Sequence, residues 1–467
     1  LLTNHLGDWV FVSKDEPGAM FRGEVGEGSE LFERLAARNF VRDRVDVEAA
    51  AARMNRKKRF LDAGPNLHVM VVTLRCNESC VYCHAARADM SETQTDMTPA
   101  IAERAVELAL QSTSPSVTIE FQGGEPLANF DVVKHIIEVA KIKNRAYGKR
   151  LEFTMVSNLA LMDEEKLAYL LEHRVQMCTS IDGPEALHNK QRILVGGNAW
   201  RESVRWIKRI NQAYVEAGLD PVLYHVEALL TTTRALLDHP TEVVDTYVDL
   251  GCRAIFIRPL DPFGWSLRTA RTTEYPRAQY LDFYRRATDH ILALNRQGVQ
   301  VLERFGAIFL TKILGDDDSN FLDVRSPGGA GIGQLAYSYD GKIYTSDEGR
   351  MLAKTGDDFF CIGDVHTSTY RELMTHETVR ALTLASNLDA QPDCVNCTYN
   401  PSCGIVPEHS YRNQGSIWGR MRESTLCAVH KGIQDYLFDL LRQNDPETVA
   451  ILKRWTTVRE RSHFVQE

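Results

Sequence analysis

Three thiols packed into one short run constrain this chain more than any other feature. Cys76-Asn77-Glu78-Ser79-Cys80-Val81-Tyr82-Cys83 has the spacing C-x3-C-x2-C and directly follows the apolar segment Leu67–Leu74. Thiolates at this density suit a soft metal or an iron–sulfur cluster better than a disulfide. A [4Fe–4S] cube takes four ligands, so three thiols leave one iron with an open position where a chelating substrate can bind. The alternative is a zinc site completed from elsewhere, with His84 nearest. Zinc sites usually show paired C-x2-C halves, and on spacing the iron–sulfur reading fits better.

The rest of the composition narrows the class. With 467 residues, 44% hydrophobic and 25% charged, the chain has ordinary globular make-up and room for two or three domains. A net charge of −9 supplies no basic field, so neither nucleic acid nor a membrane surface is expected as a partner. No apolar run approaches a membrane span, no signal peptide opens the sequence, and the leading Leu1 suggests that some native N-terminus precedes it. Ten cysteines, seven of them in two groups, point to a reducing, cytoplasmic setting in which thiols stay free to bind metal. No internal repeat or low-complexity tract stands out.

Along the chain, Leu1–Thr3 and Trp9–Ser13 flank a turn and read as two short strands, and Leu31–Phe40 and Val45–Arg53 read as helices. This small α+β module, residues 1–62, resembles the winged-helix-like elements with which peptide-modifying enzymes hold a leader peptide; a plain packing extension is the other reading. Apolar runs then recur at Leu67–Leu74, Ser116–Phe121, Leu151–Val156, Gln176–Ile181, Val222–Leu230 and Arg253–Ile257, with helical patterns such as Pro99–Gln111, Val132–Asn144 and Glu164–His173 between them. The alternation predicts an α/β fold: a partial (β/α)6 barrel over residues 63–312, open on one side, with its chemistry at the C-terminal ends of the strands. After the second strand comes Gln122-Gly123-Gly124-Glu125-Pro126, where glycines let backbone approach a ligand and Glu125 can pair with an ammonium. Cys178 and Cys252, lone thiols on or beside strands, read as buried small hydrophobes.

A second thiol group, Cys394-x2-Cys397-x5-Cys403 followed by Cys427, supplies four sulfurs. Four complete a cube with no open iron, and four also complete a structural zinc site. Residues 313–440 are expected to form this second metal-binding domain, and 441–467 a tail in which Glu447–Arg461 reads as a surface helix. Gly328–Gly333 superficially matches a dinucleotide loop, but no βαβ unit is placed around it.

Cys76, Cys80 and Cys83, with Tyr82 before the last thiol, resemble the cluster loop of the radical S-adenosylmethionine (SAM) enzymes. The resemblance implies that Gly123, Gly124, Glu125 and Pro126 hold the methionine amino group of SAM. It implies that Ser157 and Asn158 stand near methionine and ribose, that Ser180 and Asp182 contact the ribose, and that Tyr82, His188 and Arg192 lie near SAM or the cluster. Arg258, ending the sixth strand, is a partner for a carboxylate. The second group resembles the SPASM extension, which carries two auxiliary clusters on seven cysteines. Three of those places are vacant here: Gly328, Ser346 (five residues past the turn glycine Gly341) and Pro407 (four past Cys403). All three belong to the first auxiliary cluster, so two [4Fe–4S] clusters in total are expected, the auxiliary one on Cys394, Cys397, Cys403 and Cys427. Cys361 is expected to be a free thiol. In some relatives the aspartate matching Asp347 accepts a proton during substrate oxidation; here Asp347, Glu348 or Arg350 would line a roomier wall.

Over nearly all of residues 1–430 the chain closely resembles the B-type radical SAM maturase of the His-Xaa-Ser peptide system. The opening LLTN…GDWVFV, the phrases TIEFQGGEPLANFD, CTSIDGP and TTTRALLDHP, and the stretch PGGAGIGQLAYSYDGKIYTSDEGRM carry that likeness. It implies a cytoplasmic enzyme that modifies a ribosomally synthesised precursor peptide. A 5′-deoxyadenosyl radical would abstract a hydrogen and an intrapeptide crosslink would form, with electrons from a donor such as flavodoxin or ferredoxin. Oxidation or epimerisation of a peptide residue is the alternative outcome, and a zinc-binding peptide scaffold the alternative class.

Overall fold

The computed structural model describes residues 1–319, 321–457 and 460–466. Its strands, in chain order, are β1 (Leu2–Thr3), β2 (Trp9–Val10), β3 (Leu67–Thr73), β4 (Glu78–Cys80), β5 (Ser116–Gly123), β6 (Arg150–Val156) and β7 (Gln176–Ser180). There follow β8 (Arg192–Leu194), β9 (Glu227–Thr231), β10 (Ala254–Arg258), β11 (Leu302–Glu303), β12 (Gln334–Tyr337), β13 (Lys342–Tyr344) and β14 (Cys361–Asp364).

The six predicted barrel strands all form, side by side and parallel, in the order β10-β9-β7-β6-β5-β3. They belong to a larger sheet of ten, with β11 beyond β10, and with β12, β13 and β14 beyond β3. β12 pairs in parallel with β3, so the sheet runs without a break from the barrel into the extension. The fifth strand is shorter than its apolar run predicts: it covers Glu227–Thr231, while Val222–Val226 precedes it.

The strands are not uniformly apolar. In β5, Val117, Ile119 and Phe121 are buried against the helices while Thr118, Glu120 and Gln122 face the other way, half-buried. β6 repeats this, with Leu151, Phe153 and Met155 outward and Glu152 and Thr154 inward. A period of two puts one polar face into the lumen. Thr154 Oγ1 donates to Glu120 Oε2 at 3.1 Å, and Arg304 pairs with Glu227 across it. The outward rows pack on helices such as Pro99–Leu110 and Phe130–Tyr147, and each large apolar side chain fully buried there contributes about 1.5–3 kcal/mol.

The tail departs from its expectation as a surface helix. The helix is Pro446–Trp455, and it buries Thr448, Ile451, Leu452 and Trp455; Val458 and Arg459 lie outside the described residues. Beyond it the chain returns to the barrel floor, where Val465 bridges Glu152, Arg461 pairs with Glu227 and Phe464 is buried against Tyr214 and Tyr224.

In the N-terminal module β1 and β2 form the predicted hairpin, and helices Glu16–Phe21, Glu30–Ala36 and Val47–Lys57 follow. The module packs onto the body: Trp9 and Phe11 meet Phe438 edge-on, Trp9 Nε1 donates to the Ile313 carbonyl at 2.9 Å, and Thr3 Oγ1 donates to the Thr398 carbonyl at 2.6 Å.

Candidate active site

The cluster loop leaves the C-terminal end of β3 and is clamped at its base. Arg75 makes a bidentate pair with Asp96, at 2.8 and 2.6 Å, and reaches the Ala128 carbonyl. Gly123 and Gly124 lie directly against this base. A Cβ on Gly123, whose φ is +137°, would stand 2.0 Å from the Thr73 carbonyl oxygen, and one on Gly124 would stand 2.3 Å from that of Leu74. Their first reason is therefore close approach of two backbones, not approach to a ligand. Gly124 N–H donates to the Thr73 carbonyl at 2.9 Å and Glu125 N–H to the Arg75 carbonyl at 2.7 Å, which ties the two loops together.

Glu125 is fully buried at the head of the short helix Pro126–Asn129. It accepts hydrogen bonds from Ser157 Oγ (2.7 Å), the Asn158 backbone (2.7 Å) and the Leu127 backbone (3.1 Å). Burial lifts its carboxyl to about 7 against the pull of these donors. Asn158 in turn reaches the cluster loop, donating to Asn77 Oδ1 at 2.9 Å and lying 3.8 Å from Cys76 Sγ.

A second arm comes from β7. Ser180 ends the strand in register with Leu229, and Asp182 follows, fully buried. Asp182 accepts from Tyr82 Oη, from Arg192 Nε at 3.0 Å and from the Thr231 backbone at 3.3 Å, while its own N–H donates to His188 Nδ1. Arg192 stacks over the Tyr82 ring at 5.3 Å and places Nη1 3.8 Å from Cys80 Sγ. The reason is a ladder that spacing did not reveal: β4, inside the cysteine run, pairs antiparallel with β8, setting Cys80 opposite Arg192. Glu78, also unforeseen, is buried in this ladder, 3.7 Å from Arg192, with Oε1 lacking a partner. The loop Asp261–Trp265 closes the far side: Trp265 N–H donates to the Cys83 carbonyl at 2.8 Å, and a Cβ on Gly264 would stand 2.1 Å from the His84 carbonyl.

Cys76, Cys80 and Cys83 thus share one neighbourhood with Glu125, Asn158, Asp182 and Arg192. Burial pushes the Cys76 and Cys80 thiols up; Glu125 adds to it at Cys76, while Arg192 opposes it at Cys80.

The second group converges as well. Cys394, Cys397, Cys403 and Cys427 all line one pocket of about 60 Å³, with Leu388, Ile405 and Met421 among its walls. Cys427 sits in the first turn of helix Thr425–Gln443, whose N-cap Ser424 accepts its N–H at 3.2 Å; burial raises its thiol, with Lys431 pulling the other way. Burial, then the neighbouring thiols, push Cys394 and Cys403 up to about 12. Cys361 stands apart, packed with Val69, Val71 and Tyr344. Among the described residues no three His, Cys, Asp or Glu side chains are drawn together closely enough for a single metal ion. A tetrahedral zinc needs its sulfurs about 2.3 Å from one centre. A cube gives each thiolate its own iron and holds the sulfurs further apart.

The three places where further cysteines were expected also come together. Gly328 and Pro407 line a space of about 10 Å³ with Asp323, Glu348 and Glu408, and Ser346 Oγ donates to Glu408 Oε1 at 2.6 Å. That is about the lower bound for one water. Ser346 also caps helix Asp347–Ala353. Burial carries Glu408 to about 7 and raises Asp323 and Glu348. Asp347 is held by Arg350 at 2.9 and 2.7 Å, and Arg350 reaches the Ala85 carbonyl beyond the cluster loop. Its neighbour Glu348, with Arg258, Asp261 and His409, lines a cavity of about 40 Å³ between the strand ends and the extension. Arg258 meets Asp261 there at 3.7 Å.

Comparison with known proteins agrees with this architecture. Residues 70–227 match the family model described as the radical SAM superfamily. The chain is 25% identical over 158 residues to the radical SAM cyclopropyl synthase TigE of Paramaledivibacter caminithermalis, covering 31% of this chain and 33% of that protein. It is 22% identical over 344 residues to the cysteine-type anaerobic sulfatase-maturating enzyme of Clostridium perfringens, covering 70% of this chain and 84% of the relative. It thus spans about a third of the length of TigE, and 38% of an uncharacterised Methanocaldococcus jannaschii protein at 30% identity. Among solved structures, anSMEcpe with bound AdoMet superposes with TM-score 0.65 at 18% identity, over 83% of this chain and 99% of the other. Streptococcus suis SuiB bound to its precursor peptide SuiA gives 0.55 at 13% identity, over 88% and 86%. At these identities the likeness is one of fold, shared with anSMEcpe and SuiB over most of this chain.

Proposed function

We propose that this chain is a radical SAM enzyme that modifies a ribosomally synthesised precursor peptide, forming an intrapeptide crosslink. The observation that carries the reading is one hydrogen-bonded network at the strand ends. Glu125, Ser157 and Asn158 lead to Cys76 on one side, and Asp182 and Arg192 lead to Cys80 on the other.

The donor sets suit the groups this reading needs. Cys76, Cys80 and Cys83 would hold a [4Fe–4S] cluster with one open iron, and Cys394, Cys397, Cys403 and Cys427 a second, closed one. With SAM bound, the first cluster supplies a 5′-deoxyadenosyl radical able to take hydrogen from an unactivated carbon. The chain's own part is binding and orientation. Glu125, ionised beside an ammonium, would fix the amino group of SAM; Asn158 and Asp182 would orient its polar edges. Arg192 and Glu78 set the field around Cys80. The Asp261–Trp265 loop keeps water from the Cys83 side. The cavity lined by Arg258, Glu348 and His409 would receive the peptide, with Asp347 and Arg350 bracing its wall. Residues 1–62 would hold the leader, and a flavodoxin- or ferredoxin-like protein would supply electrons. The likeness to the His-Xaa-Ser maturases names a precursor to try first.

The test is anaerobic purification, iron and sulfide analysis, and mass spectrometry of a co-expressed His-Xaa-Ser precursor peptide. Roughly eight irons per chain, and a peptide lighter by two hydrogens, support the reading. Zinc alone, or a peptide unchanged in mass and stereochemistry, overturns it; an epimerised residue at unchanged mass redirects it to that chemistry.

A further inference from the structure

His430 lies on helix Thr425–Gln443, one turn past Cys427, and is 1% exposed. Its Nδ1 is 3.8 Å from Cys403 Sγ. The ring is held edge-on by Phe305 and Phe309, at centroid distances of 5.5 and 5.4 Å. It also lines the cavity that Arg258, Glu348 and His409 share, whereas Cys403 lines the four-thiol pocket. Val406 and Leu426 line both spaces, so the imidazole belongs to the partition between them.

A neutral imidazole carries one N–H, and the two aromatic rings leave this one little freedom to turn. Its nearby acceptors are the Cys403 sulfur and the Gly404 carbonyl. Hydrogen bonds to cluster sulfurs stabilise the more negative, reduced state and raise the reduction potential. We propose that His430 is a positioning residue that donates Nδ1–H to the Cys403 thiolate and thereby raises the potential of the auxiliary cluster on the side facing the peptide cavity. The inference rests on the reading that Cys394, Cys397, Cys403 and Cys427 hold a cluster.

The experiment uses the full-length chain carrying Cys76→Ala, Cys80→Ala and Cys83→Ala, so that only the auxiliary signal remains. Iron and sulfide are counted, and a redox titration is followed by electron paramagnetic resonance, with and without His430→Leu. The expected result is about four irons in both, with a lower midpoint in His430→Leu. An independent measurement does not depend on the leucine variant: pulsed resonance on the reduced cluster, with ¹⁵N-imidazole histidine, should show one coupled nitrogen that His430→Gln removes. Full iron content with an unshifted midpoint, or no coupled nitrogen, means that the N–H goes to the Gly404 carbonyl and overturns the proposal while leaving the proposed function standing. If the leucine variant fails to assemble, the nitrogen coupling decides. No iron on the second thiol set overturns this proposal together with the two-cluster reading.

Discussion

The two thiol groups are built in opposite ways. The first is carried on a loop at strand ends, with three sulfurs set among charges: Glu78 and Arg192 beside Cys80, Glu125 and Asn158 beside Cys76. The second closes between a loop and a helix N-terminus in a pocket whose walls include Leu388, Ile405 and Met421, and it has four sulfurs. The difference teaches what each can do. An incomplete set surrounded by oriented polar groups is equipped to bind a further, zwitterionic ligand and to hold it in register. A complete set leaves no open position for a ligand; what remains adjustable is its potential, through burial, hydrogen bonds and the charges of Asp393 and Lys431 in the same pocket.

The contrast breaks most sharply by removing thiols. Replacing Cys76, Cys80 or Cys83 by Ala is expected to lower 5′-deoxyadenosine release by about a thousand-fold or more, the scale of losing a reaction's source, and chromatography of the nucleoside reads it. Cys403→Ala or Cys427→Ala should leave that release within a few-fold of the parent while product peptide falls. Equal loss in both groups would mean the second set is not separate from the first reaction.

Glu125→Gln probes the charge that distinguishes the first site. Losing a hydrogen bond to a charged group costs about 1.5–3 kcal/mol, so SAM affinity by calorimetry should fall roughly 10- to 100-fold. Because burial places the Glu125 carboxyl at about 7, the parent's affinity should strengthen as pH rises through that value, and the variant's should not. An identical pH profile in both would remove Glu125 from ammonium binding.

Asp347→Asn acts on the wall between the two groups. The Arg350 guanidinium, 0% exposed, would keep a hydrogen-bond partner but lose its counter-charge, at a stability cost of up to about 3 kcal/mol. SAM cleavage should survive and peptide product should drop; full product yield would leave Asp347 a structural residue only.

The smallest effect concerns pH and folding. Glu125, Glu303 and Glu408 each have folded values lifted to about 7 by burial. Between the unfolded carboxylate range and 7 the native state binds more protons than the unfolded chain. Their stabilising contribution is therefore complete at low pH and is lost as pH rises through 7. The buried His68, His188, His225 and His430, lowered to about 4, contribute with the opposite sign over the same interval, so the carboxylate share is read by difference. Without SAM, Glu408→Gln should gain melting temperature relative to the parent as pH rises from about 5.5 to 8. A parent–variant difference that does not change over this interval would contradict the assignment.

Much of this was legible along the chain because it is local. Six strand runs and their order follow from periodicity, and the thiol spacings announce two donor sets before any folding is considered. The GGEP loop was legible too, although its glycines serve backbone contact with Thr73–Arg75, which no local pattern encodes. The strands read as apolar runs because Ile119, Phe121, Phe153 and Met155 dominate them; the polar row of Glu120, Gln122 and Thr154 becomes meaningful only when a lumen exists to receive it. Asp347 stood out by kinship, but its Arg350 partner lies one helical turn on and is shown only once the helix forms.

What residue type and spacing determined alone is the chemistry on offer: three thiols with a vacancy, four without, and a carboxylate in a glycine turn. Tertiary structure decided which charges those groups meet. Arg192 reaches Cys80 through the β4–β8 ladder, His430 reaches Cys403 through a helix turn, and Ser346 meets Glu408 across 62 positions of chain. Electrostatic influence in a buried site falls on whatever is nearest in space, and sequence distance carries no information about that.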